Sequence, residues 1–249
     1  MFRADELAGQ EFIEPEWIVP NLICEGITLL SGTPKIGKSW MLINLGVACA
    51  TGGAFLSDIQ CNRTDALYLA LEDTPRRLGS RLRTVCGWDP APSNFVLSCE
   101  WPRFPVGTRQ LDKWLESHPT VKLVMIDTLE MVRPPRRSNP YEDDYRALSG
   151  LRDLASKHHC AFVVVHHNRK TQTTMGGEEI DPLERVSGTM GLTGSVDTIL
   201  VLSRLRGTAL GELNVMGRDV REQRMVIRLI EEIGMWTKHE AGSRYPQMS

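Results

Sequence analysis

Gly32-Thr33-Pro34-Lys35-Ile36-Gly37-Lys38-Ser39 spells G-x-x-x-x-G-K-[ST], the spacing of a loop that cradles phosphates. Four positions are fixed, so a chain of this length matches by accident roughly once in a hundred. Gly32 and Gly37 let the backbone turn its N–H groups inward, and the helix that follows points its positive end at the same place. Lys38 is then placed to reach the β- and γ-phosphates of a nucleotide, and the Ser39 hydroxyl to ligate a magnesium ion between them. Lys35 adds charge, and Trp40 closes the stretch of expected nucleotide contacts, which runs Gly32, Thr33, Pro34, Lys35, Ile36, Gly37, Lys38, Ser39, Trp40. The competing reading is a glycine-rich turn that only joins strand to helix. It is disfavoured by the flanks, an apolar Ile27-Thr28-Leu29-Leu30 before the loop and a helical pattern from Trp40 to Ala48 after it.

Magnesium–phosphate chemistry needs a second acid beside the metal, and Asp127 ends the apolar run Val121–Ile126 where such an acid belongs. Hydrolysis also needs a group that activates water. Glu72, directly after the run Ala66–Leu71, is the candidate, while Asp73 reads as helping to cap the helix that opens near Pro75. His166 and His167 follow the run Ala161–Val165. A histidine at a strand end is more often a satisfied surface or core residue than a functional one. With His158, His159 and Cys160 the two form no spacing typical of zinc ligands.

The elements that must hold these groups are legible from periodicity. Strands are expected at 66–71, 94–98, 121–127 and 161–165, with helices at 75–85, 108–117 and one ending near His158 between them. The helix at 75–85 carries a start signal, Thr74 as cap with Pro75 in the first turn. After residue 198 the pattern changes to successive strands at 198–205, 211–217 and 225–232. The expected fold is therefore α/β, a mostly parallel central sheet with helices on both faces and a C-terminal antiparallel extension. Residues 1–20 read as a peripheral segment, 21–240 as one domain and 241–249 as a tail. The chain has 249 residues, 41% hydrophobic and 24% charged, enough for one sizeable core. Its net charge of −2 excludes a globally basic nucleic-acid binder. Six cysteines without a C-x-x-C pair read as reduced and structural. No apolar run is long enough for a membrane span, and the first residues have no apolar signal core, so a cytoplasmic protein without membrane contact is expected.

Gly32–Ser39, Leu71-Glu72-Asp73-Thr74-Pro75-Arg76-Arg77, Asp127 and Val165-His166-His167-Asn168-Arg169-Lys170 together resemble RecA-type P-loop ATPases, and among them the RepA-like hexameric replicative helicases. The resemblance runs from about Trp17 to Glu232 and includes Ser187–Asp197, which is similar to the stretch before a late core strand in RepA-like and DnaB-like motors. It implies a RecA-like fold, ATP with Mg2+ as cofactors, and an active site shared between subunits of a homo-oligomer, a hexameric ring. Catalytic roles follow for Lys38, Glu72, His167 and Arg218. Glu72 would polarise water, His167 would sense the γ-phosphate with His166 as alternative, and Arg218 would act as a finger in a neighbour's site, with Arg204 and Arg206 in reserve. Ser39 and Asp127 would serve the metal. Single-stranded DNA and replication or recombination proteins are the implied partners.

Two loops bear on nucleic acid. Arg133, Arg136 and Arg137, set among prolines, suit phosphate contacts that read no sequence. The stretch from Asn168 to Ser187 occupies the family's DNA-contacting position, yet it sets Arg169, Lys170 and Arg185 against Glu178, Glu179, Asp181 and Glu184 and has no aromatic to stack a base. Three functions follow: an ATP-driven motor, a non-translocating ATPase switch acting on a protein partner, and a small-molecule kinase. The first accounts for the most residues. The acidic second loop favours the switch, and the kinase lacks an evident acceptor pocket or lid.

Overall fold

The structure, a computed structural model, describes residues 2–11, 15–134, 140–167, 190–205 and 207–239. In chain order its strands are β1 (Trp17–Val19), β2 (Ile23–Cys24), β3 (Gly26–Gly32), β4 (Ala54–Phe55), β5 (Ile59–Gln60), β6 (Asp65–Ala70), β7 (Phe95–Ser98), β8 (Val121–Asp127), β9 (Ala161–His167), β10 (Thr198–Arg204), β11 (Leu210–Gly217), β12 (Gln223–Ile230) and β13 (Met235–Lys238). The helices are α1 (Ala4–Ala8), α2 (Lys38–Thr51), α3 (Pro75–Cys86), α4 (Val106–Ser117), α5 (Leu129–Val132), α6 (Pro140–His158) and α7 (Met190–Thr193).

Nine strands form one sheet in the order β13-β12-β11-β10-β3-β9-β8-β6-β7. From β10 to β7 all neighbours are parallel, and β10 to β13 pair antiparallel, as the change of pattern after residue 198 predicts. The strands alternate between two apolar layers, because successive side chains point to opposite faces. Leu30, Tyr68, Met125, Val163 and Val165 meet α2 and α3 on one face; Leu29, Leu69, Ile126, Phe162 and Val164 meet α4 and α6 on the other. Gly46, in the middle of α2, is required by close approach, since a Cβ there would lie 2.2 Å from Phe95 Cζ.

Register decides what meets at the sheet's upper edge. Gly32 pairs with His167, Ala70 with Asp127 and Ile126 with Val164, so the C-terminal ends of β3, β9, β8 and β6 finish within about two residues of one another at one edge. The residues that follow them share one crevice, where open α/β sheets place their ligands.

Two features depart from expectation. Trp17–Val19, inside the segment read as peripheral, pairs with β2 and buries Ile18 and Val19 in the core. β13 was not foreseen at all; both strands are too short to display a period. Residues 240–249 lie outside the described part of the chain. Among the described residues no helix is long and apolar enough to cross a membrane.

Candidate active site

The phosphate loop leaves β3 and enters α2 through Gly37, whose φ of 106° is left-handed. A Cβ at Gly37 would lie 2.8 Å from Cζ2 of Trp236, and the Trp236 indole Nε1 donates to the Gly37 carbonyl at 3.0 Å. Asn44 fastens the same strand to α2, donating to Gly234 O at 3.0 Å and accepting from Trp236 N at 2.9 Å. β13 is thus a buttress beneath the loop.

Lys38 is buried and its Nζ donates to the carbonyls of Gly32 and Thr33 at 2.7 and 2.9 Å. Burial pushes its pKa down to about 8, against the opposing pull of Asp127 and Glu72. Ser39 Oγ and Tyr68 OH both donate to Asp127 Oδ2, at 2.7 and 3.0 Å. Burial raises the Asp127 pKa, and these two hydrogen bonds hold it back. The Tyr68 hydroxyl is driven well above its usual range by burial and by Asp127.

Glu72 carries two contacts. Its Oε1 accepts from Thr128 Oγ1 at 3.1 Å, and its Oε2 lies 3.4 Å from His167 Nε2. An ionised carboxylate only accepts, so that second contact requires the imidazole proton on Nε2. Nδ1 is buried without a partner among the described residues.

These groups open on a cleft of about 700 Å³. Pro34, Lys35, Gly37, Lys38, Ser39 and Trp40 form one side, and Glu72, Asp127 and His167 face them. Gly32, Thr33 and Ile36 shape the loop from within: the first two lend carbonyls to Lys38, and Ile36 turns into the core. Asp73 helps at the start of α3, where its Oδ1 accepts from the backbone N–H of Thr74 at 3.0 Å, and it does more. Thr74 caps the helix, accepting from Arg77 N, while the Asp73 carboxylate binds Arg77 and Arg81. Arg81 lies over the Trp40 ring at 5.5 Å.

The expected arginines separate. Arg218 follows β11, whose Gly217 pairs with Thr198 at the start of β10, so it stands at the opposite end of the sheet from its own phosphate loop. It is exposed, donates to Gly194 O at 3.2 Å and lies 3.9 Å from Asp197. Arg204, held in reserve for the same role, lines its own cleft, with its guanidinium 5.9 Å from the Trp236 ring centre and 3.3 Å from Glu231. Arg206 lies outside the described residues. His166 pairs with Ser31 in the sheet and, unlike His167, does not line the cleft.

Arg133 corrects the first DNA-contact expectation: its side chain is 3% exposed and ion-paired with Glu130, so it is closed to a nucleic-acid phosphate. Charge and proline content suggested a free loop, but α5 draws this residue against the protein. Arg136, Arg137 and the stretch 168–187 lie outside the described residues. Sequence reasoning missed Tyr68, Thr128 and Trp236. Tyr68 was one apolar position in a buried strand, Thr128 a neighbour of Asp127, and Trp236 carried no local signal.

The family described as AAA domain matches residues 2–173. Compared by sequence with curated proteins, the chain has no significant match. Among solved structures, one described as an ATPase domain superposes with a TM-score of 0.66 at 13% identity, over 87% of this chain and 85% of that one. A DnaB-like replicative helicase, described with its interactions with primase, gives 0.65 at 15% identity over 87% of this chain and 58% of its own length. The RadB recombinase gives 0.58 at 19% identity, over 90% and 93%. At these identities the likeness is one of fold. With its phosphate loop at the edge of a mostly parallel sheet, the chain belongs to the AAA domain family and has the fold of the RecA-type P-loop ATPases.

Proposed function

We propose that this protein binds ATP with magnesium and hydrolyses it as a motor of the RepA-like replicative helicase type, in a homo-oligomer whose subunits share active sites. The carrying observation is the meeting of Lys38, the Ser39–Asp127 pair and the Glu72–His167 pair across one cleft. Among the described residues no three His, Cys, Asp or Glu side chains gather to hold a metal unaided. One hydroxyl and one carboxylate suit a magnesium ion whose remaining ligands are phosphates and water. That ion would neutralise charge between the β- and γ-phosphates. Lys38 binds the phosphates, Glu72 takes the proton of the attacking water, and His167, which lines the cleft beside Glu72, is the γ-phosphate sensor. Arg218, remote from its own loop and exposed, suits a finger that completes a neighbour's site. A hexameric ring, single-stranded DNA and replication or recombination proteins are the corresponding partners.

The test is ATP hydrolysis measured with and without single-stranded DNA, alongside oligomer mass. The motor predicts stimulation of at least about tenfold, equivalent to about 1.4 kcal/mol of barrier. Hydrolysis and assembly indifferent to DNA would instead establish the switch, a reading that the burial of Arg133 favours. Sharing of sites has its own measurement. Arg218→Ala and Glu72→Gln subunits, each inactive alone, should regain part of the activity when mixed, because some interfaces then combine an intact Glu72 with an intact Arg218. No recovery in mixed oligomers would place Arg218 in its own chain's service or outside catalysis.

A further inference from the structure

Thr128 occupies the N-cap of α5, where a threonine hydroxyl ordinarily accepts from a backbone N–H two or three residues on. Here it makes no such bond. Its Oγ1 is directed to Glu72 Oε1 instead, at 3.1 Å across 56 residues of sequence. A local rule broken inside a cleft is a recurrent mark of a functional site.

We infer that Thr128 is the positioning residue for Glu72, fixing the carboxylate so that Oε2 faces the attacking water; this rests on the reading of Glu72 as the water-activating group. Glu72 lies beyond the end of β6 with a side chain 45% exposed, so it would otherwise sample several rotamers. Of its two contacts, His167 is at 3.4 Å and itself partly exposed, whereas Thr128 is at 3.1 Å and 1% exposed. Threonine is also stiff at χ1, so a buried Thr128 holds its hydroxyl in one direction. The hydroxyl donates its hydrogen bond to Oε1, so that a lone pair of Oε2, the oxygen that also faces His167 Nε2, is left to take a proton from water. Because Thr128 follows Asp127, whose Oδ2 accepts from Ser39, one dipeptide at the end of β8 sets both the metal-side acid and the base. Their spacing becomes a property of the backbone rather than of two independent loops.

The experiment compares Thr128→Val, which removes the hydroxyl and keeps branching and volume, with Thr128→Ser, which keeps the hydroxyl, in the full chain. Single-turnover ATP cleavage, ADP affinity and thermal melting are measured for each, alone and combined with Glu72→Gln. The expected result is a fall in the cleavage rate of about 10- to 100-fold for Thr128→Val. ADP affinity should stay within about twofold of wild type, and Thr128→Ser should recover most of the rate. In the Glu72→Gln background Thr128→Val should cost almost nothing more, since two residues acting as one unit are not additive. A normal rate in Thr128→Val, an equal loss in Thr128→Ser, or a full additional loss in the Glu72→Gln background overturns the inference. Failure of the underlying reading looks different: Glu72→Gln alone would then cleave ATP at the wild-type rate.

Discussion

Replacing Glu72 by glutamine is expected to stop turnover and leave nucleotide binding intact, with a loss of about 10²- to 10⁴-fold, the range of a general base. Glutamine has the same length, and its amide oxygen still accepts from Thr128 Oγ1, so the cleft keeps its shape. What disappears is the ability to take a proton. Lys38, Ser39 and Asp127, which in the proposed function would hold the phosphates and their metal, keep their own contacts, none of which involves the Glu72 carboxylate. Phosphate release under saturating ATP, paired with affinity for a labelled nucleotide, separates the two effects. Turnover within about threefold of wild type would remove Glu72 from its role.

Lys38→Ala should have the converse signature, loss of binding. The ammonium is buried and, among the described residues, donates to two loop carbonyls and to no carboxylate, so none of these acids competes with an incoming phosphate for a direct hydrogen bond. Each charge-assisted hydrogen bond contributes about 1.5–3 kcal/mol, so affinity should fall at least tenfold and by about a hundredfold or more where two are lost. The thermal stabilisation that ATP confers should vanish with it. A pH series tests the same residue. Burial holds its pKa down at about 8, so the charged form that attracts phosphate is depleted as pH rises above that value. Affinity should weaken by up to about tenfold per unit above pH ~8 and be flat below it. Lys38→Arg, whose guanidinium stays charged far above this range, should abolish the bend. An affinity independent of pH between about 7 and 10 would show that Lys38 keeps its proton throughout.

The fold was legible wherever a signal fits within a few residues. Thr74 with Pro75 marked the start of α3, and the apolar runs at 121–127 and 161–165 marked β8 and β9. Asp127 and Glu72 were legible for the same reason, as acids at the ends of buried runs. Trp236 was not. Its partner Gly37 lies 199 residues away, and β13 has four residues, fewer than a period needs to declare itself. Arg133 was misread because composition reports charge and proline but not which side of a helix turns toward the core.

By itself the sequence determined the phosphate loop, the α/β alternation, the switch to antiparallel pairing after residue 198, and the two acids, because backbone geometry and hydrophobic period act over neighbouring residues. Only the tertiary structure decided that Thr128 grips Glu72, that Tyr68 and Ser39 share Asp127, that Trp236 carries the loop, and that Arg204 enters the cleft its own chain builds while Arg218 stands at the far end of the sheet. Those meetings depend on β6 lying beside β8 and on β3 lying between β9 and β10. Strand order is set by the summed packing of two apolar layers over the whole chain, and no single segment encodes it.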